Sequence, residues 1–147
     1  MSFRNVLGAT LVFTALSISS LPAQAGPQFA IALQGYDAVS FFEPGGPPAK
    51  GEFDHAVYWN GATWLFASAD HARRFEESPR KYAPQFDGYC ALAASLGYKA
   101  PGDALTGRIV DGKLYLNYNA EAAKLWAEAI PANIRKGEEN WPRLNPL

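Results

Sequence analysis

Residues 58–90 read YWNGATWLFASADHARRFEESPRKYAPQFDGYC, and this stretch decides the fold. Val57-Tyr58-Trp59 and Thr63-Trp64-Leu65-Phe66 are short apolar runs on either side of Asn60-Gly61, the residue pair that supplies the two positive φ angles of a type I′ turn, so they predict a β-hairpin. Ser68 stands three residues ahead of His71 and is placed to cap a helix over Ala69 to Glu77, with Ala72, Phe75 and Glu76 setting an amphipathic period. Ser78-Pro79 ends that helix, and a second helical turn over Pro79 to Tyr82 follows. The stretch closes on Cys90, the chain's one cysteine.

Outward from this unit, the signals are of the same local kind. Ile109-Val110 and Leu114-Tyr115-Leu116 enclose Asp111-Gly112, a second hairpin signature. Asn119 is placed to cap a helix from Ala120 to about Ala129, with Ala122, Ala123, Leu125 and Trp126 as its buried face and Pro131 as its end. Trp141-Pro142 reads as an extended tail packed back on the body. Upstream, Val39, Phe41 and Phe42 make Tyr36 to Phe42 a candidate strand ending at the loop Pro44-Gly45-Gly46-Pro47-Pro48. No internal repeat is legible in the residues. Two hairpins interleaved with short helices predict a small single α+β domain.

The first 25 residues have a different character. Arg4 precedes an apolar body from Val6 to Ile18, and Ala23-Gln24-Ala25 supplies the small-residue exit of a secretory signal. Residues 1–25 are therefore expected to be a signal peptide and 26–147 a single domain. The apolar body falls short of the roughly 20 residues that span a bilayer, so no stable membrane anchor is expected after cleavage. The protein is expected to be exported, periplasmic in a cell with an outer membrane and secreted otherwise. Without Arg4, 12 Lys+Arg face 14 Asp+Glu, which is not the balance of a nucleic-acid binder. The chain holds no nucleophile elbow, paired-histidine zinc motif, phosphate loop or dinucleotide glycine fingerprint.

Tyr58, Asn60-Gly61, Phe66, Ser68, Phe75, Pro79 and Tyr82, in this spacing, resemble the YHS domain, a small α+β module. Gly35-Tyr36-Asp37-Ala38-Val39, Gly88-Tyr89-Cys90-Ala91, Gly97 to Asp103 and Asn117-Tyr118-Asn119 are similar to a subgroup of exported bacterial YHS-domain proteins. In that subgroup some members carry selenocysteine where this chain has Cys90, so the resemblance implies a redox or ligand role there. The metal-binding form of the domain has three cysteines at positions that fall here on Ser40, Ala67 and His71. A soft ion such as Cu(I) favours thiolate donors, and these three are missing.

Cys90 has two readings. It is either a small buried hydrophobe or a thiol at the N-terminus of a helix over Ala91 to Leu96, where the helix dipole favours a thiolate. If the fold brought His55, His71 and Cys90 together, they would form an N/N/S set suited to a copper or zinc ion. His55 and His71 are otherwise read as solvated loop-edge and first-turn residues, and Asp37 as a turn former. Tyr36, Tyr89 and Tyr98, each beside a glycine, are candidates to line a small pocket. The leading expectation is an exported module that binds a metal ion or small ligand through Cys90. The alternatives are a thiol redox protein that uses Cys90 with an external thiol, and a structural or partner-binding domain whose Cys90 is inert.

Overall fold

The computed structural model describes residues 30–146. The signal-peptide expectation for residues 1–25 therefore lies outside the described residues. The strands are β1 (Ala30–Ile31), β2 (Glu52–Trp59), β3 (Ala62–Phe66), β4 (Asp103–Val110) and β5 (Lys113–Asn117). The helices are α1 (Ala69–Glu77), α2 (Pro79–Tyr82), α3 (Ala91–Leu96), α4 (Ala120–Ala127) and α5 (Ile130–Leu144). They form a three-stranded sheet in the order β1-β3-β2 and a two-stranded sheet β4-β5, so the α+β class expected from the sequence holds.

Both hairpins form where the turn pairs place them. Asn60 and Gly61 have φ of 49° and 78°, and Asp111 and Gly112 have 48° and 73°, the positive pairs that a type I′ turn needs. The Ser68 hydroxyl accepts the His71 N–H and the Asn119 carboxamide accepts the Ala122 N–H, so both caps also form as read.

Three expectations are corrected. Tyr36 to Phe42 is not a strand: Tyr36 makes a single bridge to Lys50, and the chain then winds into a 3-10 turn over Ser40–Phe42. The cause is Asp37, whose Oδ1 accepts the N–H groups of Val39 and Ser40 and pulls the backbone out of the extended form. Pro131 does not simply end α4. That helix stops at Ala127, and Pro131 lies in the first turn of α5, where its missing N–H costs nothing. Trp141-Pro142 belongs to the last turns of α5 rather than to an extended tail, and the Trp141 ring packs on Phe86 and Tyr89.

The structure also reveals a repeat that the residues conceal. Ala32–Gly35 and Gln85–Gly88 are matching turns. Leu33, Gln34 and Gly35 have φ of 51°, 49° and 80°, and Phe86, Asp87 and Gly88 have 54°, 50° and 80°. Three successive left-handed residues are rare, because a Cβ disfavours positive φ, and here the run occurs twice. Each turn is followed by a tyrosine that bridges to the chain just ahead of a hairpin, Tyr36 to Lys50 and Tyr89 to Pro101. In each hairpin the register shifts along the first strand, between Glu52 and Ala56 and between Asp103 and Arg108. Each hairpin then leads into a capped helix, α1 or α4.

The cores repeat as well. Trp64 stacks on Phe75 with ring centroids 4.8 Å apart, and Tyr115 stacks on Trp126 at 5.3 Å. Leu33 and Phe86, from the two left-handed turns, are buried in the two separate apolar clusters. Alternation along β5 joins the halves: Leu114 and Leu116 enter the first cluster, and Tyr115 enters the second. Gln34 fastens the joint, donating through Nε2 to Gly102 O at 2.9 Å and accepting the Ala104 N–H at 3.0 Å.

Candidate functional site

Asp37 and Cys90 hold the same place in the two halves, directly after Gly35-Tyr36 and Gly88-Tyr89. The Asp37 N–H donates to Ala49 O at 2.9 Å, and the Cys90 N–H donates to Ala100 O at 2.8 Å. Each side chain then accepts backbone N–H groups two or three residues on, Val39 and Ser40 for Asp37 and Ala93 for Cys90. What differs is the atom presented and what stands over it.

In the first half the position is filled. Asp37 is wholly buried, and its carboxylate accepts the Val39 N–H at 2.8 Å and the Ser40 N–H at 3.2 Å on Oδ1, and the Ala67 N–H at 2.9 Å on Oδ2. His71, projecting from the first turn of α1, brings Nδ1 to 2.6 Å from Oδ2. A buried carboxylate is costly unless its lone pairs are used, and here four donors converge on it. Asp37, read from sequence as a turn former, is the centre of this half, and its partnership with His71 was not legible.

In the second half the position is open. Cys90 is 2 % exposed and precedes α3; its Sγ accepts the Ala93 N–H at 3.4 Å, and its thiol donates to Asn117 Oδ1 at 3.7 Å. Asn117 Oδ1 also accepts the Leu92 N–H at 3.1 Å. Asn117, 1 % exposed, takes the position that Phe66 holds in the first half, and its Nδ2 has no partner among the described residues. Where His71 projects from α1, α4 carries Ala122, and its methyl group fills none of the space of an imidazole. A cleft of about 400 Å³ opens there, with Cys90 at its base and walls from Leu92, Ala93, Tyr98, Ala122 and Leu125. Tyr98, Tyr118 and Leu125 are exposed at its rim.

The sequence-derived candidates are thus distributed as follows. Cys90 lines the cleft, and His71 lies in the other half against Asp37. His55 sits on β2 inside the stretch where the register with β3 shifts. The three do not assemble: among the described residues, no group of three or more His, Cys, Asp or Glu side chains is placed to hold a metal ion. Of the three candidate tyrosines Tyr36, Tyr89 and Tyr98, Tyr98 alone lines the cleft; Tyr36 lies under the Lys50 ammonium at 3.6 Å, and Tyr89 packs on Trp141 and Lys99. Leu125 was expected on the buried face of α4 but is 47 % exposed, because that face turns toward the open cleft instead of a filled core. No family model, curated protein or solved structure matches this chain.

Proposed function

We propose that this chain is an exported binding module whose second half holds a small, largely apolar or aromatic molecule over the Cys90 thiol. The observation that carries the reading is the contrast between the halves: His71 covers Asp37, whereas Ala122 leaves the corresponding space over Cys90 open. The walls are mainly apolar, and Tyr98, Tyr118 and Leu125 keep exposed apolar surface at the rim, a pattern that marks a ligand site more than a protein's ordinary surface. The Cys90 thiol lies at the floor and the exposed Asn119 and Glu121 complete the lining, so the fitting ligand is a ring or short chain with one polar atom directed at the thiol and any other polar group turned toward solvent. This favours the small-ligand form of the expectation over a metal ion, because Cys90 is not joined by His55 or His71.

A neutral naphthyl fluorophore, N-phenyl-1-naphthylamine, is a suitable probe. Its emission is expected to rise on binding to residues 26–147, and Ala122→His, which recreates the first half's plug, is expected to abolish the rise while circular dichroism stays unchanged. Equal binding by the folded Ala122→His protein would place the fluorophore elsewhere and remove the basis for the reading.

A further inference from the structure

We infer that Cys90 is a site of peroxide oxidation whose product, a sulfinate, is held by a cradle built for a carboxylate. The first half shows what this position is shaped to hold. Asp37 presents two anionic oxygens one atom beyond Cβ, and N–H groups of the following turn and of Ala67 close on them. A cysteine sulfinate has the same connectivity, with two anionic oxygens on the atom beyond Cβ. Its surroundings correspond: the Ala93 N–H already points at Sγ, and Tyr118, the counterpart of Ala67, lines the cleft.

A second observation points to an added acceptor. Asn117 reaches Cys90 with its carboxamide, spends Oδ1 on the thiol and the Leu92 N–H, and leaves Nδ2 unpartnered in a buried site. A buried donor with no acceptor is destabilising, and an oxygen placed on Sγ supplies the missing acceptor. The unoxidised thiol donates to Oδ1 and accepts only the Ala93 N–H, so Nδ2 stays without a partner.

The chemistry needs only a hydroperoxide, which is small enough to enter the cleft. Sγ attacks one peroxide oxygen, an S–O bond forms and the O–O bond breaks. The departing hydroxide takes the thiol proton and leaves as water, giving the sulfenic acid. A second hydroperoxide repeats the step on the same sulfur, and the sulfinic acid releases its proton to solvent. Each step oxidises sulfur by two electrons and reduces one peroxide. Among the described residues there is no second cysteine to divert the sulfenic acid into a disulfide, and Cys90 is the chain's only one.

The test is intact-mass measurement on residues 26–147 treated with hydrogen peroxide. Met1 is the chain's only methionine and is absent from that protein, so cysteine dominates the readout. The expected result is a gain of two oxygen atoms on Cys90 in the folded protein, a halt at that stage, and a thermal midpoint no lower than that of the thiol form. Resistance until unfolding, or passage to three oxygens, would overturn the inference. Asn117→Asp, which removes the Nδ2 donor and adds a negative charge, is expected to slow the second addition severalfold, and an unchanged course would count against the cradle. Cys90→Asp provides a check that needs no oxidant: it should fold with a midpoint at or above that of Cys90→Ala. Failure to fold where Cys90→Ala folds would also refute the inference.

Discussion

Ala122 stands in the second half where His71 stands in the first, each at the third position of a helix whose N-cap side chain accepts that residue's own N–H. Both helices start from an extended N-cap residue, and the exchange of an imidazole for a methyl group makes one site a closed hydrogen-bonded pair and the other an open cleft. If the two halves share one geometry, the double variant Cys90→Asp with Ala122→His should rebuild the Asp37–His71 pair. A double-mutant cycle measured by urea denaturation is expected to give a favourable coupling of about 0.5–3 kcal/mol, the range for residues in direct contact. No coupling would mean that the halves share a topology without sharing a site.

Asp37 is expected to be among the chain's most sensitive positions. Asp37→Ala would leave the N–H groups of Val39, Ser40 and Ala67, together with His71 Nδ1, without their acceptor. The Val39 N–H is buried and would cost about 1–3 kcal/mol unpaired, and the other three bonds are part-buried and add less each, so the loss is expected to be a large share of the roughly 5–15 kcal/mol that hold a domain folded. Asp37→Asn keeps one acceptor oxygen and should cost distinctly less. Equilibrium denaturation of the two variants beside the parent gives the order, and equal costs would contradict the account of Asp37 as a multiple acceptor.

Gly51 and Gly102 are among the glycines required by close approach rather than by φ, and the two whose neighbour is backbone or Cβ rather than a ring. A Cβ on Gly51 would lie 2.2 Å from the Leu65 carbonyl carbon, and a Cβ on Gly102 would lie 2.2 Å from Gly88 O and 2.8 Å from Leu116 Cβ. Leu65 and Leu116 are again counterparts, so the same backbone crossing occurs in both halves. Gly51→Ala and Gly102→Ala should each lower stability by about 1–3 kcal/mol or more, since backbone has to move to relieve the clash. Gly61→Ala meets nothing within 4 Å and pays only for its positive φ, so its thermal midpoint should fall less. A larger loss at Gly61 would reverse the argument.

How much of this was legible in the sequence follows the range of each interaction. Asn60-Gly61, Asp111-Gly112, Ser68 and Asn119 act on backbone within three residues of themselves, and their hairpins and caps form as read. Tyr36 to Phe42 has the apolar content of a strand, but the Asp37 side chain competes for its N–H groups, and residue type alone does not show which bond forms. Pro131 is compatible with stopping one helix and with starting the next, and only the packing of α5 along α3 decides. The site pairs Asp37–His71 and Cys90–Asn117 are long-range contacts created by the topology. The repeat was hidden because its defining backbone, three left-handed residues in a row, is carried by Leu33-Gln34-Gly35 in one half and Phe86-Asp87-Gly88 in the other. Of these residues only the glycines advertise it.

Tyr115 and Tyr82 predict opposite alkaline behaviour. Burial raises the Tyr115 phenol above its ordinary value of 10.0, and the negative charges of Glu138 and Asp111 add to the shift. A raised folded pKa means that the folded state holds the proton more tightly. The stability it represents is complete below pH 10 and is lost as pH climbs from there through the folded value. At Tyr82, burial pulls upward, but hydrogen bonding and charge from Arg74 and Lys81 outweigh it and lower the pKa. That group favours folding only as it ionises, so its contribution grows with pH up to the unfolded value. Urea midpoints followed from neutral pH to above pH 10 should therefore fall less steeply in Tyr115→Phe than in the parent, and more steeply in Tyr82→Phe. Parallel curves for all three proteins would show that neither phenol couples to folding and that alkaline unfolding has another source.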